Sequence, residues 1–136
     1  MGDQAVSQII DHVGLRVSDF PRAKAFYTEA LGALGIQLLS DFAVGREHHA
    51  GFGIEHPSFW ISDGLTARAA THVAFTAKSR AEVEAFYSVA LSMGGRDNGA
   101  PGLRAHYHAN YYGAYVLDPD GHNIEAVCHA GTGSDT

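Results

Sequence analysis

Apolar and polar residues alternate in two stretches of the chain, and a helical pattern follows each stretch. The alternation covers residues 13–17 and 73–77, where every second side chain is apolar, which predicts a strand with one apolar face. Residues 20–31 and 80–91 then carry apolar side chains at the spacing of one helix face. The chain therefore predicts a strand and a helix in the same order twice.

The ends of both predicted helices carry capping signals. Asp19 and Pro21 are typical of a helix start, and Ser79 to Glu82 form a capping-box pattern for the second helix. Glycines at 32 and 35, and again at 94 and 95, predict where the two helices end.

The two strand–helix stretches are copies of one unit. Aligned without a gap, Asp11–Leu31 and Thr71–Leu91 share 7 of 21 residues, including a histidine at the second position of each. Short strand candidates follow each helix, at 37–39, 48–53 and 59–62 in the first copy, and near 96, at 106–117 and at 122–129 in the second. Each copy therefore reads βαβββ. We predict one domain over 1–136, with repeats at about 9–65 and 69–130 and a flexible tail at 131–136.

Composition and charge exclude several classes of protein. The 136 residues include 9 basic and 15 acidic residues, and no two Lys or Arg are adjacent, so binding to a nucleic-acid backbone is not expected. No apolar stretch approaches the roughly 20 residues of a membrane span, and no signal peptide is visible. The lone Cys128 cannot form an internal disulfide, which favours a reducing, cytoplasmic setting.

The order of these motifs resembles the vicinal-oxygen-chelate superfamily, which includes glyoxalase I, bleomycin-resistance and fosfomycin-resistance proteins and extradiol dioxygenases. The motifs that carry the resemblance are Asp11-His12-Val13, Phe26-Tyr27 with Leu31-Gly32, Thr71–Phe75 and Asp118–Glu125. The resemblance implies an α+β fold. In that fold two tandem βαβββ modules form an eight-stranded mixed-sheet cup, with the helices outside and a metal ion in the cup.

By the same resemblance, His12, His72 and Glu125 would hold one divalent metal ion, and the residues support this independently. The two histidines hold equivalent positions opposite the aliphatic strand face, so a twofold axis between the copies would bring them together. Glu125 lies between Ile124 and Ala126, which face the other way on a strand. Two imidazoles and one carboxylate leave positions open on iron, manganese, zinc or nickel.

Five other residues are candidates for the substrate pocket. His106, His108 and Tyr112 lie in a segment rich in polar aromatic side chains, and alternate members would line the cup. Arg104 is able to bind a carboxylate or phosphate. Trp60 is a candidate pocket wall. Packing or solvent exposure is the alternative interpretation for each of them.

Trp60 also marks a departure from glyoxalase I, which has a fourth ligand, a carboxylate on the last strand of the first copy. Matching the last strands of the two copies sets Trp60 against Glu125. Because indole is not a metal ligand, this match leaves three protein ligands. This counts against glyoxalase I activity itself and leaves more coordination positions on the metal ion without a protein ligand. Glu55 and His56 stay candidates for a fourth ligand, since the loops of the two copies differ in length.

The favoured function is a metal-dependent enzyme whose ion binds two neighbouring oxygens of a small substrate, by lyase/isomerase or dioxygenase chemistry. The alternative is a metal-free protein that sequesters a small molecule or drug, as bleomycin-resistance proteins do, and a regulatory pseudo-enzyme is a third hypothesis. The triad favours the enzyme, because a sequestering protein does not need it. Exposed strand edges predict a homodimer. Whether the two copies of the unit pair within one chain or across the dimer stays open.

Overall fold

The computed structural model describes residues 11–64, 71–107 and 109–131, in which two helices and nine strands follow one another. The first module contains β1 (Val13–Arg16), α1 (Phe20–Gly32), β2 (Gln37–Val44), β3 (Glu47–Gly53) and β4 (Pro57–Ser62). The second contains β5 (His72–Thr76), α2 (Arg80–Ser92), β6 (Arg96–Asp97), β7 (Gly102–Leu103), β8 (Tyr112–Leu117) and β9 (Asn123–Cys128). All but the first residue of the predicted tail lie outside the described residues.

Each module builds its own mixed sheet with the same strand order. Sheet A has the order β1-β4-β3-β2, and sheet B has the order β5-β9-β8-β6, with the short β7 also paired to β8. The first strand of each module runs parallel to the last, and the other pairs are antiparallel. The predicted α+β class is confirmed.

The sheets differ from the single eight-stranded cup in two ways. Residues 102–103 pair with β8 and so add a ninth strand. Within the described residues, β1 pairs only with β4 and β5 only with β9, so the two sheets are not joined by a strand ladder.

Both helices begin as the capping signals predict. The Asp19 side chain accepts a hydrogen bond from the Arg22 N–H at 3.1 Å. The Ser79 hydroxyl accepts from the Glu82 N–H at 3.1 Å, and the Glu82 carboxylate accepts from the Lys78 N–H at 2.8 Å. These bonds satisfy N–H groups that the first turn of a helix leaves without a backbone acceptor.

One hydrophobic core runs through both modules. The two helices pack against each other, and Leu15 of β1, Phe26 of α1 and Ile124 of β9 are at most 2% exposed. The helix-covered face of each sheet is therefore buried. His12 and His72 belong to the opposite, open faces, where their side chains are 61% and 51% exposed. Neither helix in the described part of the chain has the length and apolar character needed to cross a membrane.

Buried polar contacts join the two modules at the turn between β8 and β9. The carboxylate of Asp118 accepts hydrogen bonds from the Tyr27 hydroxyl of α1 at 2.5 Å and from the His122 N–H at 2.8 Å. The His122 ring, in a residue only 2% exposed, accepts from the Thr71 N–H and donates to the Arg16 carbonyl, each at 3.0 Å. The end of β1 therefore lies beside the start of β5.

The variant Tyr27→Phe is expected to lower the free energy of unfolding by about 1.5–3 kcal/mol, because it removes a hydrogen bond to a buried carboxylate. Burial, with Asp118 beside it, raises the pKa of Tyr27 well above its usual value, so the hydroxyl keeps its proton and donates. Tyr87→Phe is the matched control. Tyr87 occupies the same position in α2, but its hydroxyl binds the exposed Asp97, and its loss should cost less than about 0.5 kcal/mol. Equal losses in urea unfolding would contradict this account.

Candidate metal centre

A buried carboxylate lies beside an exposed histidine on the open face of sheet B. The Glu125 side chain on β9 is 2% exposed, whereas His72 at the start of β5 is 51% exposed. Glu125 pairs with Ala74 in the parallel register, and His72 lies two residues before Ala74, so both functional side chains share one face. His72 Nε2 lies 3.2 Å from Glu125 Oε1.

A backbone carbonyl fixes the orientation of the His72 ring. His72 Nδ1 donates to the Asn123 carbonyl at 3.2 Å, so in the neutral imidazole Nε2 carries the lone pair. This lone pair faces Glu125 Oε1, and two electron-pair donors so close repel each other unless a proton or a cation lies between them. One imidazole nitrogen and one carboxylate oxygen suit a divalent transition metal ion.

Tyrosines surround this pair. Glu125 Oε2 accepts a hydrogen bond from the Tyr111 hydroxyl. Tyr115 pairs with Glu125 across β8 and β9, and its ring stacks beside His72 with centroids 6.4 Å apart. A cavity of about 490 Å³ opens here, lined by His72, Tyr107, Tyr111, Tyr115, Asn123, Glu125 and His129. Burial raises the pKa of both Tyr111 and Tyr115, so the pocket offers neutral hydroxyl donors.

His12 does not join this pair within one chain. In residues 11–64, 71–107 and 109–131, no three His, Cys, Asp or Glu side chains form a group that could hold a metal ion. The contacts at the β8–β9 turn set Arg16, the last residue of β1, beside Thr71. His72 therefore lies near the end of β1, whereas His12 precedes its start. Four residues of strand span about 13 Å. The expectation that the repeat axis brings the two histidines to one point is therefore not met within the chain.

His12 is nevertheless oriented as a ligand would be. Its Nδ1 lies 2.8 Å from Asp11 Oδ2, so the carboxylate accepts from Nδ1 and leaves Nε2 as the available nitrogen. Both His12 and His72 border the groove between β1 and β5.

Trp60 holds on sheet A the position that Glu125 holds on sheet B. Trp60 pairs with Gly14, and Glu125 pairs with Ala74, which is the repeat equivalent of Gly14. The indole lies across Gly51, where an added Cβ would come within 2.8 Å of the ring. At this position sheet A therefore presents an aromatic surface instead of a carboxylate.

The register of β8 decides which aromatic residues face the cavity. Tyr115 lies opposite Glu125, so Tyr111, four residues earlier, projects to the same face, while Tyr112 projects to the other. The Tyr112 hydroxyl donates to Glu84 of α2 at 2.7 Å, so Tyr112 is not in the pocket. Tyr111 and Tyr115 were not among the predicted pocket residues. The alternation of side chains along β8 and β9 is the signal that assigns them to the face of Glu125.

Arg104 and His106 are not among the residues that line the cavity. Arg104 donates to the carbonyls of Gly102 and Ala100, and its guanidinium carbon lies 5.3 Å from the centre of the Tyr115 ring. It therefore braces the pocket wall. His106 is exposed and contacts the ring of the neighbouring Tyr107 at 4.2 Å. His108 lies outside the described residues.

Comparisons with known proteins agree with this fold. The family model of the glyoxalase/bleomycin resistance protein/dioxygenase superfamily matches residues 9–126. No curated protein is significantly similar to the chain. A glyoxalase/bleomycin resistance protein from Albidiferax ferrireducens T118 is 29% identical with a TM-score of 0.74, over 89% of this chain and 99% of that one.

Two further solved structures share the fold. A mutant of glyoxalase I from Zea mays is 26% identical with a TM-score of 0.65, over 87% of this chain and 46% of that one. A mutant of the fosfomycin resistance protein FosX from Listeria monocytogenes, complexed with Mn(II) and 1S,2S-dihydroxypropylphosphonic acid, is 22% identical with a TM-score of 0.63, over 94% of this chain and 93% of that one. Because the family model spans most of the sequence, the chain belongs to the glyoxalase/bleomycin resistance protein/dioxygenase superfamily.

Proposed function

We propose that the protein is a metal-dependent enzyme that binds a small, oxygen-chelating substrate at one divalent cation. His72 and Glu125 of one copy of the chain hold the cation together with His12 of a second copy. The observation that carries this proposal is the His72–Glu125 pair, in which the imidazole Nε2 lies 3.2 Å from an oxygen of a buried carboxylate and Nδ1 is held by the Asn123 carbonyl. A buried carboxylate is stable as the anion only with a compensating charge, and a metal ion supplies it.

A second copy of the chain explains how three ligands come together. His12 lies on the open face of sheet A, and the His72–Glu125 pair lies on the open face of sheet B. A homodimer in which sheet A of one copy faces sheet B of the other brings the third ligand to the pair. Exposed apolar side chains on β2 also favour association, since such surfaces mark interaction sites. They are Leu39, Phe42 and Val44, which are 39%, 46% and 62% exposed.

Three protein ligands leave open positions for the substrate. A divalent cation in such a site supplies Lewis acidity to two neighbouring substrate oxygens. Iron, manganese, zinc and nickel all accept imidazole and carboxylate ligands, and the similar FosX structure contains Mn(II). Lyase, isomerase and dioxygenase reactions are the chemistries this arrangement serves.

The protein's own groups bind and orient the substrate beside the cation. The Tyr115 ring stacks beside His72, and its hydroxyl interacts with Tyr111 and Glu125, so this side of the pocket is a fixed wall next to the cation. In the dimer, Trp60 and Phe42 of the facing sheet A, with ring centroids 6.0 Å apart, form an apolar wall. This wall excludes water from one side of the cavity and favours substrates with a flat or apolar part.

Metal analysis of protein purified without chelators or a metal-affinity column tests the proposal. We expect about one equivalent of a divalent metal per chain, and activity toward oxygen-rich small molecules when the screen is run with that metal. Protein that neither retains nor binds a divalent metal would contradict the proposal. Tight small-molecule binding by such metal-free protein would favour the sequestering alternative.

Trp60→Phe is expected to leave the metal content unchanged while altering small-molecule binding. The indole forms part of the proposed wall and supplies no ligand atom. Trp60 is the chain's single tryptophan, so quenching of its fluorescence reports directly on ligands that reach the wall. Loss of metal in this variant would show that Trp60 supports the metal centre itself.

A further inference from the structure

We propose that Tyr111 is a positioning residue that holds the Glu125 carboxylate with Oε2 occupied and only Oε1 directed toward His72 and the cation. The inference rests on the proposed metal centre and extends it from the ligands to the residue that orients one of them. Glu125 has two oxygens with different partners. Oε1 faces His72 Nε2 at 3.2 Å, and Oε2 accepts the hydroxyl hydrogen of Tyr111.

A glycine lets the tyrosine reach the carboxylate. Gly113 lies on β8 between Tyr111 and Tyr115, on the strand face that carries both. A Cβ at Gly113 would lie 3.3 Å from Tyr111 Cε1 and 3.4 Å from Glu125 Oε2. The absent side chain therefore provides the space in which the phenol ring crosses β8 to meet the carboxylate.

Contacts on both sides hold the Tyr111 ring in place. Its carbonyl accepts from the Arg104 N–H at 2.7 Å, which closes the segment that precedes β8. Its ring contacts that of Tyr107 at a centroid distance of 4.8 Å and that of His129 at 5.3 Å. The hydroxyl is therefore held at one place relative to Glu125.

The Tyr111 hydroxyl is the donor in its contact with Glu125, because a carboxylate oxygen only accepts. A neutral phenol donates one hydrogen bond and adds no charge to the site. Tyr111 therefore restrains the carboxylate without competing with it for the cation.

This restraint determines how the carboxylate binds metal. Carboxylates bind cations through one oxygen or through both. With Oε2 engaged by Tyr111, Glu125 offers one oxygen and leaves another coordination position for substrate. Without the Tyr111 hydroxyl, Oε1 is no longer held toward His72 and the cation, which weakens binding. Oε2 also becomes available as a second donor, which changes the coordination. Loss of an outer-shell partner of this kind typically costs 10–100-fold in metal affinity.

The test compares Tyr111→Phe with Tyr112→Phe in the full-length chain. The two variants remove the same hydroxyl from neighbouring residues, but Tyr112 faces α2 and donates to Glu84. Mn(II) affinity is measured by calorimetry on the metal-free protein. The visible absorption of the Co(II)-loaded protein reports the coordination number, a property that a merely structural role would not change.

We expect Tyr111→Phe to bind Mn(II) at least about 10-fold more weakly and to change the Co(II) spectrum, while Tyr112→Phe matches the wild type in both. Wild-type affinity in Tyr111→Phe, or weaker affinity with an unchanged Co(II) spectrum, would overturn the positioning role alone. A wild-type chain that binds neither metal would overturn the proposed function, and with it this inference. The wild-type titration and the comparison of variants thus separate the two failures.

Discussion

Separate replacement of His72 by alanine and of Glu125 by glutamine is expected to weaken Mn(II) or Zn(II) binding by at least about 100-fold. Alanine removes one of three protein donors, and glutamine replaces a carboxylate by a weaker, neutral oxygen donor and removes the buried charge that the cation balances. The fold should persist, because His72 is half exposed and glutamine preserves the shape of Glu125. Calorimetry on the metal-free variants measures the loss, and any metal-dependent activity should fall with it.

His48→Ala is the matched control for these substitutions. His48 lies on β3, where its ring stacks on Phe20 at 5.2 Å and its Nδ1 lies 3.0 Å from Asp63 Oδ2. It should bind metal as the wild type does. His129 is unsuitable as a control, because it lines the cavity. Wild-type affinity in His72→Ala, or loss of metal in His48→Ala, would show that the ligands are assigned wrongly.

Mixing two inactive variants is expected to restore metal sites if the centre is shared between copies. His12→Ala and His72→Ala each lack one ligand in both sites of a homodimer. A mixed dimer has one site with both substitutions and one with neither. Random exchange of subunits therefore yields about a quarter of the wild-type number of sites. Metal analysis of the co-expressed variants, purified without selection for mixed dimers, measures this fraction. Two different affinity tags in a parallel preparation show by co-purification that mixed dimers form.

The restored fraction separates the two ways in which the repeats can pair. A mixture of His72→Ala with Glu125→Gln is the control, because both residues belong to the same half of the site. Each site in that mixed dimer lacks one ligand, and no metal should return. If the His12→Ala and His72→Ala mixture also restores nothing, although co-purification of differently tagged chains shows mixed dimers, the shared site is excluded.

The sequence by itself determined the repeat and most of the fold. The shift of 60 residues predicted two βαβββ units, and the helices begin 60 residues apart with sheets of matching strand order. The helix starts at Asp19 and Ser79 were also predictable. All of these depend on contacts within a few residues or on a period that repeats along the chain, and such patterns are written in the sequence.

The tertiary structure decided what two equivalent residues do. Tyr27 and Tyr87 occupy equivalent positions in the two copies of the repeat. The Tyr27 hydroxyl nevertheless binds the buried Asp118, whereas the Tyr87 hydroxyl binds the exposed Asp97. The β8–β9 turn, which belongs to the second module, packs against α1 of the first module. The partner of each hydroxyl comes from a distant segment, so no local pattern distinguishes them.

The composition of the candidate site was also decided by strand register and by the placement of the two sheets. A shift of one position along β8 exchanges Tyr111 for Tyr112, because neighbouring side chains project to opposite faces. The sequence predicted His72 and Glu125 as ligand types, and the parallel register of β5 and β9 puts them 3.2 Å apart. His12 is equivalent to His72 in the repeat, but it lies at the end of β1 that is distant from Thr71 and His72. The separation arises because His122 links the Arg16 end of β1 to Thr71, and that contact exists only once the two modules have packed.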